Sequence, residues 1–276
     1  MTTKMIGTGS YLPEHMVSND DLAKLVDTSD EWIASRTGIR NRRIATKESG
    51  ADMAAAAARE ALRDAGMDGS EIDLILVATC SSDFQFPSTA CLVQKAINAT
   101  KAAAFDLSAA CSGFLFALHT AHAYICAGIY KNILLVGVEV LSKLIDWKDR
   151  STCVLFGDGA GAAVVTAADH GLEGVVQWSD GAGGEVLTCP GRKMENPWKE
   201  NDSETEYIQM NGQEVFRFAV KKVPECIRQV TEKTGTQIET IDWFVLHQAN
   251  SRIIQSVAKR LGVPEEKFPM NMEQYG

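Results

Sequence analysis

An α/β fold built around parallel sheet covered on both faces is what this sequence predicts, and three observations carry the prediction. Amphipathic helical stretches alternate with short, wholly apolar runs; one apolar run returns later in the chain; and glycines cluster ahead of a further strand. In order, Asp20 to Ser35 has helical amphipathicity, Met53 to Ala65 is alanine-rich and helical, and Ile72 to Ala78 is a short apolar run. Lys131 to Val138 is a second such run, and Gly157-Asp-Gly-Ala-Gly-Ala-Ala-Val-Val places glycines where backbones approach closely. Apolar runs of this length between helices read as strands buried on both faces. The segment Glu71-Ile-Asp-Leu-Ile-Leu-Val-Ala-Thr-Cys is echoed by Thr240-Ile-Asp-Trp-Phe-Val-Leu-His-Gln-Ala, each after an amphipathic helix, an offset of about 170 residues. Two similar halves follow, residues 1–170 and 171–276, unless the echo is a chance likeness of two buried strands. The polar stretch from Arg192 to Tyr207 reads as a surface excursion.

Charge and composition narrow the function. With 27 basic against 36 acidic side chains, a net charge of −9, the chain lacks the dominant cationic field a nucleic-acid surface needs. No run of about 18 apolar residues is present and the N-terminus has no apolar leader, so we expect a soluble, cytoplasmic protein with no membrane partner. The seven cysteines (Cys80, Cys91, Cys111, Cys126, Cys153, Cys189 and Cys226) are an odd set with no C-x-x-C pair, which argues against a disulfide framework or a zinc knuckle.

One cysteine differs in context. Cys111 lies in Phe105-Asp-Leu-Ser-Ala-Ala-Cys-Ser-Gly-Phe-Leu-Phe-Ala-Leu, where a strand-like stretch passes through small residues into a buried helix running to about Gly128. Near a helix N-terminus, free N–H groups and the positive dipole end favour thiolate, and the small neighbours admit a substrate. A nucleophile and an inert buried cysteine both fit this position. His247 closes the apolar run Trp243-Phe-Val-Leu-His-Gln-Ala-Asn just before a helix over Ser251 to Leu261, where α/β sheets place reacting groups. Alone it would be a hydrogen-bonded structural residue; paired with Cys111 it can act as base or oxyanion donor. His119 and His122 share a helix face, but no further ligand completes a metal set. Arg252, Lys259 and Arg260 form a basic cluster beside His247, either an ordinary solvated face or a landing site for an anionic partner.

Five ordered motifs then point to one family. Gly7-Thr-Gly-Ser-Tyr-Leu-Pro, Thr28-Ser-Asp-Glu-Trp-Ile-Ala-Ser-Arg-Thr-Gly-Ile-Arg40, Ala109-Ala-Cys-Ser-Gly, Phe156-Gly-Asp-Gly-Ala-Gly-Ala-Ala and His247-Gln-Ala-Asn250 together resemble the β-ketoacyl-acyl carrier protein synthase III family over the whole chain. The resemblance implies a thiolase-like five-layered αβαβα fold of two pseudo-repeated halves, paired as a homodimer. It implies a decarboxylating condensation of acyl-CoA, acetyl-CoA by default, with malonyl-acyl carrier protein to start fatty-acid synthesis, without metal or bound organic cofactor. Cys111 would carry the acyl group, and His247, with an asparagine further on, would stabilise the enolate oxygen.

By position the resemblance also assigns coenzyme A contacts. Trp32 would stack on the adenine with Arg150 on its other face, Arg36 and Thr37 would touch the nucleotide, and Gly212, Phe216, Ala249 and Asn250 would line the pantetheine tunnel. Without the resemblance, Trp32 could equally be a core aromatic. Arg217, Gln248, Ala249, Asn250, Ser251, Arg252 and Lys259 would meet acyl carrier protein, and Phe86 would be the dimer-related acyl-pocket residue. In the resembled pattern, Met272-Glu-Gln-Tyr-Gly276 is followed by the catalytic asparagine, a helix and a glycine-rich loop. Their absence leads us to expect an incomplete second half and an unstable or inactive chain. Alternatives are a polyketide- or quinolone-type condensing enzyme with a similar cysteine and histidine, a cysteine hydrolase that keeps the Cys111 nucleophile, and an inactive binding fragment.

Overall fold

Local signals account for most element boundaries. The computed structural model describes residues 1–191, 198 and 207–276, so most of the expected surface excursion after Arg192 lies outside the described residues. Five longer strands, β1 (Thr2–Tyr11), β2 (Leu74–Ala78), β3 (Ala103–Leu107), β4 (Asn132–Val140) and β5 (Asp158–Ala168), form one sheet in the order β1-β5-β4-β2-β3. The helices of eight residues or more are α1 (Asp30–Thr37), α2 (Gly50–Ala65), α3 (Thr89–Ala96), α4 (Gly113–Cys126), α5 (Gly212–Thr234) and α6 (Ser251–Leu261).

The sheet is mixed rather than parallel throughout. Strands β3, β2 and β4 run parallel, with Ala78 level with both Leu107 and Gly137, whereas β5 is antiparallel to β4 and to β1. Strands β2, β3 and β4 follow one another through α3 and α4, whereas β4 passes to β5 with no helix of eight residues or more between them, so the alternating pattern fails at β5. Every residue of β2 is buried, as its unbroken apolar run requires.

Helix α2 begins at a capping box in which Ser49 Oγ accepts from the Asp52 N–H and Asp52 accepts from the Ser49 N–H, and it ends at left-handed Gly66. Its alanines lie directly on β1: a Cβ on Gly9 would sit 2.3 Å from the Ala57 carbonyl oxygen. One core packs α2 and α3 against the sheet, with Met53, Ala57, Val93 and Val136 buried. A second packs Ala117, Ala121 and Ile125 of α4 against the opposite face. A third cluster, containing Leu22, Ile33, Ile39, Phe244, Ile254 and Val257, joins the N-terminal part of the chain to α6 and its neighbours.

Two expected elements differ. The helix expected over Asp20 to Ser35 is split into Asn19–Leu22 and α1, because Ser29 caps a new helix by accepting from the Trp32 N–H. The echo strand around Trp243 to His247 forms no ladder among the described residues. Its Phe244 N–H instead donates to the Lys267 carbonyl at 2.9 Å, and Trp243 and Val245 remain exposed. No helix among the described residues is long and apolar enough to cross a membrane.

Candidate active site

Strand β3 ends at Leu107, and the chain turns through Ala110–Ser112 into α4. Ala110, just before Cys111, has φ 44°, a left-handed conformation that costs a non-glycine residue free energy and that the surrounding packing must impose. Gly113 is buried against β2: a Cβ there would lie 2.9 Å from that of Ala78, so α4 can approach the sheet this closely only with glycine at that position. The turn thus presents Cys111 at the start of a buried helix, as expected, and Cys111 keeps solvent-accessible surface.

Electrostatically, Cys111 departs from expectation. Burial by the atoms crowding its inner side raises the thiol pKa, and Glu139 raises it further, against a backbone hydrogen bond that lowers it. Desolvation of the charged form therefore works against any stabilisation of a thiolate by the helix N-terminus. His247 likewise has an open edge but is held below its ordinary pKa by burial, which keeps the imidazole neutral. No hydrogen bond joins Cys111 to His247 among the described residues.

Two residues that sequence reasoning passed over flank the nucleophile turn. The Thr79 N–H continues the β2–β3 pairing by donating to the Leu107 carbonyl, which brings Cys80 to the level of that turn. Glu139 on β4 accepts from the Cys80 N–H at 2.9 Å, from Thr79 Oγ1 at 3.5 Å and from the Ser81 hydroxyl. A lone carboxylate interrupting the apolar strand Asn132 to Val140 was the available signal.

The nucleotide-type residues gather elsewhere. The Trp32 ring has Arg36 at 4.5 Å and Arg150 at 4.9 Å from its centroid, and Arg150 donates to the Asp27 carbonyl at 2.7 Å. Arg252 joins the cluster by donating twice to the Ser35 carbonyl, at 2.7 and 3.1 Å, so the start of α6 is fixed to α1. Asn250 caps α6, accepting from the Arg252 N–H at 2.8 Å, and Ser251 packs against Gly38. Ala249 is exposed next to it. Thr37 is 4% exposed and its hydroxyl is committed, donating to the Ile33 carbonyl and accepting from the Ile39 N–H. Its side chain therefore shapes the end of α1 rather than offering a free polar contact.

Gly212 opens α5 and Phe216 is half-buried one turn on. Among the residues expected to face an acidic partner, Arg252 and Lys259 are exposed, and Arg217 pairs with Glu214 at 2.6 Å. Gln248 turns inward, donating to Leu246 and Pro269 carbonyls and accepting from the Asn271 N–H. Phe86 is 86% exposed on the loop after β2. Of the histidines set aside as metal ligands, His122 contacts Thr3 Oγ1 at 2.9 Å and His119 contacts Gln177, and no metal-ligating group of three forms among the described residues.

Family models described as 3-oxoacyl-[acyl-carrier-protein] synthase III and its C-terminal region match residues 105–184 and 231–276. A β-ketoacyl-[acyl-carrier-protein] synthase III of Clostridium acetobutylicum is 51% identical over 277 aligned residues, covering 100% of this chain and 85% of its own. The chain belongs to the β-ketoacyl-[acyl-carrier-protein] synthase III family. A crystal structure of the 3-oxoacyl-[acyl-carrier-protein] synthase III of Aquifex aeolicus superposes with a TM-score of 0.92 at 47% identity, covering 99% of this chain and 85% of that one. A priming β-ketosynthase from the R1128 polyketide pathway also gives 0.92, at 39% identity, covering 100% and 83%. These superpositions make the fold that of the synthase III enzymes, the thiolase-like architecture expected from the motifs.

Proposed function

We propose that this chain is the acyltransferase that condenses acyl-CoA, by default acetyl-CoA, with malonyl-acyl carrier protein, and so initiates fatty-acid synthesis. The observation that carries this reading is Cys111, presented with accessible surface by a strained turn at the start of a buried helix. In the first half-reaction the Cys111 sulfur attacks the thioester carbonyl. The new carbon–sulfur bond forms, the bond to coenzyme A breaks, and the thiol proton leaves on the released coenzyme A. In the second, malonyl-acyl carrier protein loses carbon dioxide and its carbanion attacks the acyl carbon. A carbon–carbon bond forms as the bond to Cys111 breaks, and a proton restores the thiol. His247, neutral through burial, suits donation to the enolate oxygen, which a protonated imidazole buried there could supply only at a desolvation cost. Decarboxylation itself generates the carbon nucleophile, so the sequence calls for no metal or bound organic cofactor.

The Trp32, Arg36 and Arg150 cluster supports recognition of the coenzyme A nucleotide, and exposed Arg252 and Lys259 suit an acidic carrier protein. A homodimer is supported by the unequal edges of the sheet. On the outer edge of β1 the N–H groups of Thr8 and Ser10 are taken up by Asp64 and Glu60, whereas β3 is an open edge beside exposed Phe86. The unpaired state of all seven cysteines suits the reducing cytoplasm, to which we assign the protein. The test is product formation from acetyl-CoA with malonyl-acyl carrier protein against malonyl-CoA. Preference for the carrier-bound malonyl group supports the reading; equal use, or thioester hydrolysis without carbon–carbon bond formation, contradicts it.

A further inference from the structure

The site holds a second thiol. Cys80 stands two residues beyond Ala78, against which Gly113 packs, and Gly113 stands two residues beyond Cys111. Both cysteines keep accessible surface. A second accessible thiol beside the turn that would carry an acyl thioester poses a chemical problem. Attack by Cys80 on an acyl-Cys111 would form a Cys80 thioester, break the Cys111 one and pass the Cys80 proton to Cys111, stranding the acyl group on the wrong residue.

The loop bearing Cys80 is organised by one carboxylate. Glu139 accepts from the Cys80 N–H and from the hydroxyls on either side of it, Thr79 and Ser81, while Ser81 Oγ in turn accepts from the Val140 N–H at 2.8 Å. The nearby Lys143 is committed to the Ser82 carbonyl and Asp83 and makes no ion pair with Glu139 among the described residues. We propose that Glu139 is a positioning residue that holds the Cys80 thiol out of the acyl-transfer chemistry, so that one thiol of the two accepts the acyl group. The inference rests on the reading of Cys111 as acyl acceptor.

Electrostatics point the same way. Burial, and then the Glu139 carboxylate, push the Cys80 thiol up to about 12, so almost no thiolate exists there near neutral pH. The titratable groups acting on Cys80 are Glu139 from β4, Cys111 from the nucleophile turn and Cys189, just after the Leu187–Thr188 segment.

The experiment is peptide-mapped iodoacetamide labelling of the full chain across a pH series, beside a free cysteine standard, for wild type, Glu139→Gln and Ser81→Ala. Glutamine keeps an acceptor for the Cys80 N–H while removing the charge; Ser81→Ala loosens the loop and keeps the charge. In wild type, Cys80 should label far more slowly than the standard up to about pH 10. In Glu139→Gln its labelling should rise ~10-fold or more, with a midpoint at least about one pH unit lower, while Ser81→Ala leaves it near wild type. Wild-type Cys80 labelling at the rate of the standard, an unchanged midpoint in a folded Glu139→Gln protein, or equal release by Ser81→Ala would each overturn the proposal. Labelling at Cys80 does not require that Cys111 accept an acyl group, so failure of the functional reading, seen as absence of acylation at Cys111, is separately visible.

Discussion

Replacing Trp32 by alanine should weaken coenzyme A binding without unfolding the protein. In the free structure the indole lies against two guanidiniums, Arg36 at 4.5 Å and Arg150 at 4.9 Å. An adenine entering between Trp32 and Arg150 gives up one exposed cation–π contact of about 0.5–1 kcal/mol and gains stacking on the indole of about 1–3 kcal/mol. The net share of the ring in binding is then about 0.5–2 kcal/mol, or roughly a 2–30-fold increase in Kd for Trp32→Ala. Trp32→Phe, which keeps an aromatic face, should fall between. Titration calorimetry with coenzyme A reads the change directly, and thermal melting checks the fold, since Trp32 also packs on the cluster around Ile33 and Ile254. A Kd within about twofold of wild type in a folded Trp32→Ala protein would refute the stacking argument.

Other substitutions test the scaffold and its charges. Gly9→Ala drives a methyl to 2.3 Å from the Ala57 carbonyl oxygen, so α2 must move; we expect ~1–3 kcal/mol or more of destabilisation by urea unfolding, and an unchanged midpoint would contradict the close packing. Hydrogen bonds from its own backbone N–H first, then from the Lys47 and Thr46 N–H groups and the Tyr11 hydroxyl, lower the Glu48 carboxyl to about 2. Its folded pKa lies below the ordinary 4.5, so its stabilisation is present above 4.5 and lost as pH falls toward 2; a carboxyl titration by NMR near 4.5 would deny it. His247 runs the other way: burial holds it neutral, so the unfolded chain takes up its proton first and stability declines as pH drops below 6.5. His247→Gln should flatten the fall in Tm between about pH 7 and 5, and an unchanged slope would show that the imidazole titrates freely.

How much of this was legible in the sequence depends on range. The apolar run Ile72 to Ala78 and the helix following Cys111 are local signals and formed close to where the residues indicated, whereas the Ser49 cap, which starts α2 at Gly50 rather than at the expected Met53, was a local signal that went unread. The antiparallel pairing of β5 with β4 and β1 was not legible, because an apolar strand carries the same pattern whichever way its neighbours run. The echo segment at Trp243 shows the same limit: its composition suits a strand, but a ladder needs a partner, and Phe244 bonds to a loop carbonyl instead. Within the site, Cys111 stood out through its immediate neighbours, and Trp32 only through the motif that carries the family resemblance. Glu139 and Cys80 did not, since their meeting is set by the register of β2 against β4, and the internal use of Thr37 and Gln248 depends on contacts that spacing does not encode. The expectation of a thiolate at Cys111 missed desolvation, a property of packing rather than of position on a helix.

The most direct test of the central claim is the intact mass of the purified chain before and after incubation with acetyl-CoA, repeated for Cys111→Ala. The account predicts one acetyl group per chain, mapped to Cys111 and absent from the variant. A folded wild-type chain that gains no acetyl group, or an adduct that survives Cys111→Ala, would contradict it.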